Sequence, residues 1–584
     1  MNFFRSAYVS LLSGYLRKYR KSMFLLAFLF LSNIVLQIAN PLLLRTFIDG
    51  AQSKAPLSFL LEIVLFFMIA TITAQAIGVC EAYVSNDIAW KATNTLREDV
   101  TLHCLYLDMP FHHVHTPGEM VERIDGDIGL LNDFFSRFVL TLATNFFFLI
   151  GTLIVLWVID WRIGFALSLY SLLTLGLIIF LRRFGKTPWN ATRQSSADMI
   201  GFLEERLAAT EDIRALAATS YLLSRLQPLL RKRLTTERRA TTTTMTLFGI
   251  TTIVFSGATA LALGLSGSFF REGVLSLGTV YVIFNYALQL SQPLNQVSNN
   301  MNYFQKASAS IQRLQDLLSI EPAMKNGLGM ELAAPEAEAF SVDFEHVSFG
   351  YTEQEPILHD ITFSVKSRQL LGIVGRTGSG KTTLSRLLFR LYDPQQGTVR
   401  LSGKDIRTQR LMSVRSNIGL VTQEVQLFDT TLRNNVTLFD PTIADTTIID
   451  AFQELGIDRW YQRLPQGLDT PLTAGGSMLS AGEAQLITLA RLFLKRPRLI
   501  IMDEATSRID PATEEMLEQA MNRLFQNCTG IIIAHRLSTI QRVHTLLMLE
   551  NGRIVEQGLR TDLLQNPDSR FSHLLRTGQM EVLA

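Results

Sequence analysis

The 584-residue sequence predicts a multi-domain membrane protein. An all-α, six-helix transmembrane part with long cytosolic helical extensions precedes an α/β domain. Three observations predict it. Six long runs without a charged residue fill the first half. Short β-rich segments alternating with helical ones fill the second. A glycine-rich phosphate-loop pattern closes one of those β-segments.

Charged residues make up 18% of the chain, against roughly 25% in an average soluble domain. With 54 Lys and Arg against 52 Asp and Glu, the formal net charge is +2, which gives no pull toward nucleic acid. Cys80, Cys104 and Cys528 are too few and too scattered for a disulfide scaffold or a four-ligand zinc site. A small secreted domain, a basic nucleic-acid binder and a disordered chain are thereby excluded.

The uncharged runs are 22–44, 63–80, 138–159, 163–181, 240–270 and 273–305. A bilayer core about 30 Å thick takes roughly 20 apolar residues as helix, so each run is a candidate span. The first is too long for a signal-peptide core and reads as retained. Orientation follows from the loops. Arg5, Arg17, Lys18, Arg20 and Lys21 precede the first span with no acid, and 182–239 carries basic clusters at 182–183, 231–233 and 238–239. The opposite connections, 45–62, 160–162 and 271–272, are short. Positive charge stays inside, so both termini and both long loops face the cytosol.

Those two loops, 81–137 and 182–239, each exceed fifty residues and are rich in Leu, Ala, Arg and Glu. That composition is helical, and a structureless loop of such length is unusual. The run 273–305 also overshoots the bilayer at 1.5 Å per residue. The spans therefore continue as helices into the cytosol. The division is a cytosolic segment 1–21, a transmembrane domain 22–319, a linker 320–339 and an α/β domain 340–584. The spans lie at about 22–45, 57–80, 138–159, 161–181, 243–270 and 273–305.

Beyond the linker, β-rich runs at 341–349, 369–374, 418–421, 498–502 and 530–534 alternate with longer helical stretches, the pattern of a largely parallel sheet. After 370–374 comes Gly375-Arg376-Thr377-Gly378-Ser379-Gly380-Lys381-Thr382, then an apolar helix beginning at Thr383. This is the phosphate loop in its strand–loop–helix context, and it makes the domain a P-loop NTPase. Its glycines let backbone N–H groups converge on phosphate oxygens at a helix N-terminus. Lys381 reaches the β- and γ-phosphates of ATP, and the Thr382 hydroxyl coordinates Mg²⁺. A second apolar strand ends in Asp503-Glu504, placing a metal ligand and a water-polarising acid beside the loop. Gln423 and His535 each follow a β-run and project at the same sheet edge.

These residues resemble the ATP-binding cassette (ABC) transporters, specifically half-transporters of the exporter fold. The resemblance covers essentially the whole chain and is most specific from 340 to 558. It implies that Tyr351 stacks on adenine and that the loop from Gly375 through Thr383 holds the phosphates. Gln423 senses Mg²⁺ and the attacking water, with Thr382 and Asp503 as the other metal ligands. Glu504 is the general base and His535 the switch histidine on the γ-phosphate. Ser507-Arg508-Ile509-Asp510 occupies the D-loop and Leu479-Ser480-Ala481-Gly482-Glu483 the signature. Ser480 and Gly482 close on ATP held by the partner domain, so the resemblance implies a dimer.

The departures carry as much weight. The family signature usually reads Leu-Ser-Gly-Gly-Gln, and Ala481 and Glu483 replace its third and fifth residues. Glu483 adds negative charge near a triphosphate, which weakens closure unless it is offset. Arg508 breaks the usual Ser-Ala-Leu-Asp, and Thr473-Ala474-Gly475-Gly476 lacks both charges of the usual Gly-Glu-Arg-Gly. The expectation is a heterodimer in which this chain brings the intact phosphate loop and the partner the better signature. A homodimer tolerating the altered signature is the alternative.

The resemblance implies an ATP-driven transporter working by alternating access on a small molecule, lipid, drug or peptide, most like a bacterial plasma-membrane protein. An importer built on the exporter fold with siderophore-like cargo, and a nucleotide-gated channel or regulatory subunit, are the competing classes. Thr116-Pro117-Gly118-Glu119-Met120 resembles the start of the first coupling helix, and 205–216 the second. His103, Cys104, His112, His113 and His115 are metal-ligand types, although the simpler reading is a cytosolic lead into the first coupling helix. On the last span Asn285, Gln289, Gln292, Gln296, Asn299 and Tyr303 share one helical face, which should meet a partner helix or a water-filled cavity.

Overall fold

The computed structural model describes residues 14–322, 324, 339–352, 355–422, 425–473, 479–503, 510–534 and 540–576. The chain forms two compact units, 1–105 with 117–320, and 106–116 with 321–584.

The first unit is helical. Its long helices are α1 (Arg20–Gln52), α2 (Leu57–Tyr106), α3 (Leu140–Ile159), α4 (Trp161–Ala208), α5 (Thr219–Arg271), α6 (Leu277–Gln289) and α7 (Ser291–Leu318). Among the described residues five helical stretches are long and apolar enough to cross a membrane. The run 273–305 is divided between α6 and α7, with Leu290 at the join. Pro293 falls in the first turn of α7, where a missing N–H costs no helical bond. The 53 residues of α5 span about 80 Å at 1.5 Å per residue, far more than a bilayer core. The helical extensions expected of 81–137 and 182–239 are present.

Local chemistry sets the turns. Asp160 caps α4 by accepting from Arg162 N at 2.8 Å. Ser276 caps α6, and its hydroxyl donates to Asp49 at 2.7 Å. Asp49 also accepts from Gly278 N at 2.9 Å, tying the end of α1 to the start of α6. Gly278 is required there, because a Cβ would lie 2.5 Å from the Arg45 carbonyl oxygen. Farther along the same pair, the Tyr286 hydroxyl donates to the Ile38 carbonyl at 2.6 Å.

In the cytosolic extensions, buried Asp127 accepts from Ser310 Oγ at 2.9 Å and from Arg313 Nε at 2.9 Å. Burial raises its pKa, but the bonds from Arg313 and Ser310 prevail and hold the carboxyl below the usual range. The bonded charge anchors α7 to the segment before α3.

The second unit is α/β. The strands of its two larger sheets are β1 (Val342–Phe349), β2 (Leu358–Val365), β3 (Leu370–Gly375), β4 (Gln396–Leu401), β5 (Lys404–Asp405), β6 (Ile418–Val421), β7 (Leu499–Asp503), β8 (Thr529–Ile533), β9 (Thr545–Glu550) and β10 (Arg553–Leu559). An antiparallel sheet runs β2-β1-β4-β5, and a six-stranded sheet runs β10-β9-β3-β8-β7-β6. Only the β9–β10 pair of the larger sheet is antiparallel. Every residue of β7 and β8 is buried, as expected of parallel strands covered on both faces. Three helices frame the site: α8 (Lys381–Leu388), α9 (Ala481–Lys495) and α10 (Pro511–Leu524). Leu387, Ile501 and Ile533, all fully buried, belong to one core that fixes β3, β7, β8 and α8 together. Each such side chain stabilises by about 1.5–3 kcal/mol.

The segment 106–116 carries a short helix, Met109–Val114, within this unit. Asp108 Oδ2 accepts there from Met324 N at 2.9 Å. A further short helix, Pro117–Val121, covers most of the Thr116–Met120 stretch. Within 205–216, α4 ends at Ala208 and a short helix, Thr210–Ala215, follows.

Candidate functional site

The carboxyl ends of β3, β8, β7 and β6 come together by register. Ile373 pairs with Ile533, Ile533 with Asp503, and Met502 with Val421. All four strands therefore end at one edge of the sheet. The phosphate loop follows β3. Gly375 has no room for a side chain, since a Cβ would lie 2.1 Å from the Leu549 carbonyl oxygen. Gly380, at φ +103, sits in a conformation that L side chains rarely adopt, and from it α8 begins. Arg376, Thr377 and Gly378 are exposed, whereas Ser379, Lys381 and Thr383 are buried.

Lys381 Nζ donates to the carbonyls of Gly375 at 2.6 Å and Arg376 at 3.1 Å. Burial pushes its pKa below the usual lysine range, and the Asp503 carboxylate opposes that shift. Thr382 Oγ1 donates to Asp503 Oδ2 at 3.0 Å, which brings together two of the oxygens assigned to a metal. Ser379 Oγ is buried with no hydrogen-bond partner among the described residues. An orphan hydroxyl, a glycine-lined cradle and a lysine resting on backbone carbonyls fit a phosphate group. The Thr382–Asp503 oxygen pair fits a hard cation such as Mg²⁺.

Tyr351 is held beside the loop helix. Its hydroxyl accepts from Arg386 Nη1 at 2.8 Å and lies 3.2 Å from Thr383 Oγ1. Its ring packs edge-on to Tyr392 at 5.1 Å and lies 6.3 Å from the His113 ring. His103, by contrast, pairs with the Leu317 carbonyl at 3.0 Å, and His112 and His115 pack on Phe111. Gln423, Glu504 and His535 lie outside the described residues, as do Ser507, Arg508 and Ile509 of the D-loop and 474–478 before the signature. Asp510, the last D-loop residue, caps α10 by accepting from Thr513 N at 3.0 Å. That bond holds its carboxyl below the ordinary range.

The signature stands at the start of α9. Ser480 is its N-cap, with Oγ accepting from Glu483 N at 3.2 Å. Glu483 reaches back, and its Oε2 accepts from Ser480 N at 2.7 Å. Its other oxygen accepts from Trp460 Nε1 at 3.1 Å. This is a complete capping box. The charge of Glu483 is thus directed onto its own helix N-terminus, which is the offset that sequence reasoning left open. Gly482 is buried in the first turn. Sequence reasoning missed Trp460 and Arg386, one orienting Glu483 and the other Tyr351. The Ser-x-x-Glu spacing at 480–483 was the available signal for the first.

This arrangement defines a P-loop nucleoside-triphosphatase domain joined to a helical membrane domain. Residues 358–507 match the ABC transporter family, and residues 23–294 match the ABC transporter transmembrane region. The ABC transporter ATP-binding protein YfiC of Bacillus subtilis is 30% identical over 483 residues, covering 80% of this chain and 78% of that protein. The ATP-dependent lipid A-core flippase of Desulfotalea psychrophila is 28% identical over 548 residues, covering 94% and 95%. The solved structure of a bacterial Atm1-family ABC exporter with ATP bound shares the fold. Its TM-score is 0.78 at 24% identity, covering 96% of this chain and 98% of that one. The chain belongs to the ABC transporter family, as an exporter-fold half-transporter. It binds ATP, couples its hydrolysis to transport, acts as a dimer, and is a multi-pass protein of the bacterial cytoplasmic membrane with a cytosolic ATPase domain.

Proposed function

We propose that this chain is one half of a heterodimeric exporter, with six spans at the positions assigned above and a degenerate signature. The capped N-terminus of α9 is the observation that carries it. Ser480 N and Glu483 N, two donors at the start of that helix, are already bonded within the chain. A carboxylate also occupies the place where a helix dipole favours an anion. The site that pairs this signature with the partner's phosphate loop is therefore the weak one. The site that pairs this chain's phosphate loop with the partner's signature is the hydrolytic one.

At that hydrolytic site the loop amides, Ser379 and Lys381 bind the phosphates, and Tyr351 stacks on the base. Thr382, Asp503 and Gln423 would hold Mg²⁺, which supplies charge neutralisation at the phosphates. Glu504 takes the proton of the attacking water, and His535 holds the γ-phosphate. Asp510 and the signature close the interface. Closure moves the short helix Met109–Val114 and the turn near Ala209, and these carry it to the spans. The polar face at Asn285, Gln289 and Gln292 lines the cargo path. Export is the direction that the flippase and exporter relatives favour.

The experiment is purification of a tagged chain from its native membrane, with intact mass of the complex as the readout. A second half-transporter of different sequence at one-to-one ratio is expected. Recovery of a homodimer alone contradicts the reading.

A further inference from the structure

The amide-bearing face of the last span meets a second polar face. On α1, Asn33, Gln37 and Asn40 stand four and three residues apart, on one side of the helix. Gln37 and Asn40 join Thr71, Asn145 and Gln289 in the wall of a cavity of about 460 Å³, a volume suited to a small organic ligand. Phe67 and Phe148 supply apolar surface.

Asn33, Gln37, Asn40, Asn145 and Gln289 each give one of their two amide N–H groups to the protein. Glu81, 5% exposed, is a carboxylate that can only accept, so Asn33 Nδ2 donates to it at 3.0 Å. Asn33 Oδ1 then accepts from Gln37 Nε2 at 3.2 Å, which leaves Gln37 Oε1 as an acceptor. Thr71 gives its proton to the Phe67 carbonyl at 2.8 Å and so can only accept from Asn40 Nδ2 at 3.5 Å. Asn40 Oδ1 is left buried, with no partner among the described residues. Asn145 Nδ2 donates to the Thr141 carbonyl at 2.7 Å, and Gln289 Nε2 to Asn285 Oδ1 at 2.5 Å. Pro41 acts in the same sense: it lines the cavity inside α1 and lacks an N–H, so the backbone carbonyl of Gln37 loses its usual helical donor four residues on. Among the described residues no Lys or Arg lines the cavity.

We propose that this cavity binds an organic cation bearing N–H donors, a protonated amine on an apolar body, and rejects phosphorylated cargo. Carbonyl oxygens face an ammonium from several sides, and the Glu81 carboxylate behind Asn33 adds attraction in a medium of low dielectric. A phosphate would find no cation among the described wall residues to offset its charge, and the Glu81 carboxylate behind Asn33 would repel it. The inference rests on reading the last span as part of the cargo path. Every wall residue belongs to this chain, so the chain alone suffices for the test.

The test is binding to the full chain in lipid nanodiscs, in excess over empty nanodiscs, of octylamine, octyltrimethylammonium, octanol and octyl phosphate. Octylamine should bind about tenfold tighter than octyltrimethylammonium or octanol, and octyl phosphate no more than to lipid alone. Asn40→Leu should weaken octylamine about tenfold, and Asn40→Asp should restore it. Gln37→Leu serves as a second variant, with monodisperse elution as the folding check. Equal affinity for the amine and its trimethyl analogue, preference for the phosphate, or indifference to both leucine variants overturns the inference. Vesicle uptake of octylamine by the assembled transporter tests the cargo-path reading separately. Binding without uptake overturns that reading, and absent binding overturns the ligand class.

Discussion

The helix after the phosphate loop begins at Gly380 with no side-chain cap, while the helix after the signature begins at Ser480 with a reciprocal one from Glu483. The first leaves Ser379 Oγ unpaired and rests its lysine on backbone carbonyls. The second satisfies its own donors and adds an indole N–H from Trp460. A helix N-terminus carries unpaired N–H groups and a partial positive charge, and either a ligand or a side chain can meet them. Within one domain, one start is open to an anion and the other already holds one. The difference teaches where this chain contributes to hydrolysis and where it depends on a partner.

The largest expected effect is at the open start. Lys381→Ala should lower ATP affinity about 100-fold, read with a fluorescent ATP analogue on the full chain. Retained affinity would mean that the loop is not the phosphate site. Next comes the closed start. Glu483→Gln keeps the bond from Ser480 N, gives up the one from Trp460 and removes the charge, and should raise the ATPase rate of the chain alone about tenfold. An unchanged rate would separate the altered signature from activity. Smaller effects distinguish the two serines by stability. Ser480→Ala loses a cap and should cost about 1 kcal/mol, whereas Ser379→Ala removes an unpaired buried hydroxyl and should cost nothing measurable. Equal losses in thermal unfolding would erase the contrast. Smallest is Trp460→Phe, which removes one hydrogen bond to Glu483 for about 0.5–1 kcal/mol.

The phosphate loop and Asp503 were legible because their chemistry is local: a strand, a short loop and a helix start fix where each group points, whereas Tyr351 came from the family resemblance alone. The apolar runs were legible for a similar reason, since a lipid environment forbids charge over a whole helix. Long-range pairings were not legible. Trp460 lies 23 residues from Glu483, and nothing in their spacing pairs an indole with that carboxylate. The break at Leu290 inside an uncharged run was hidden too, because charge reports on burial in lipid and not on helix continuity. The polar face of α1 was visible as a periodicity at 33, 37 and 40, but within a run chosen for lacking charge its amides drew no notice.

The most direct measurement is Mg²⁺-ATPase activity of this chain purified alone in lipid, beside a Glu504→Gln control. The account predicts ATP binding with little hydrolysis, because the only signature available to the intact phosphate loop is the capped one at Ser480–Glu483. Robust hydrolysis that disappears in the control would contradict it and establish a working homodimer.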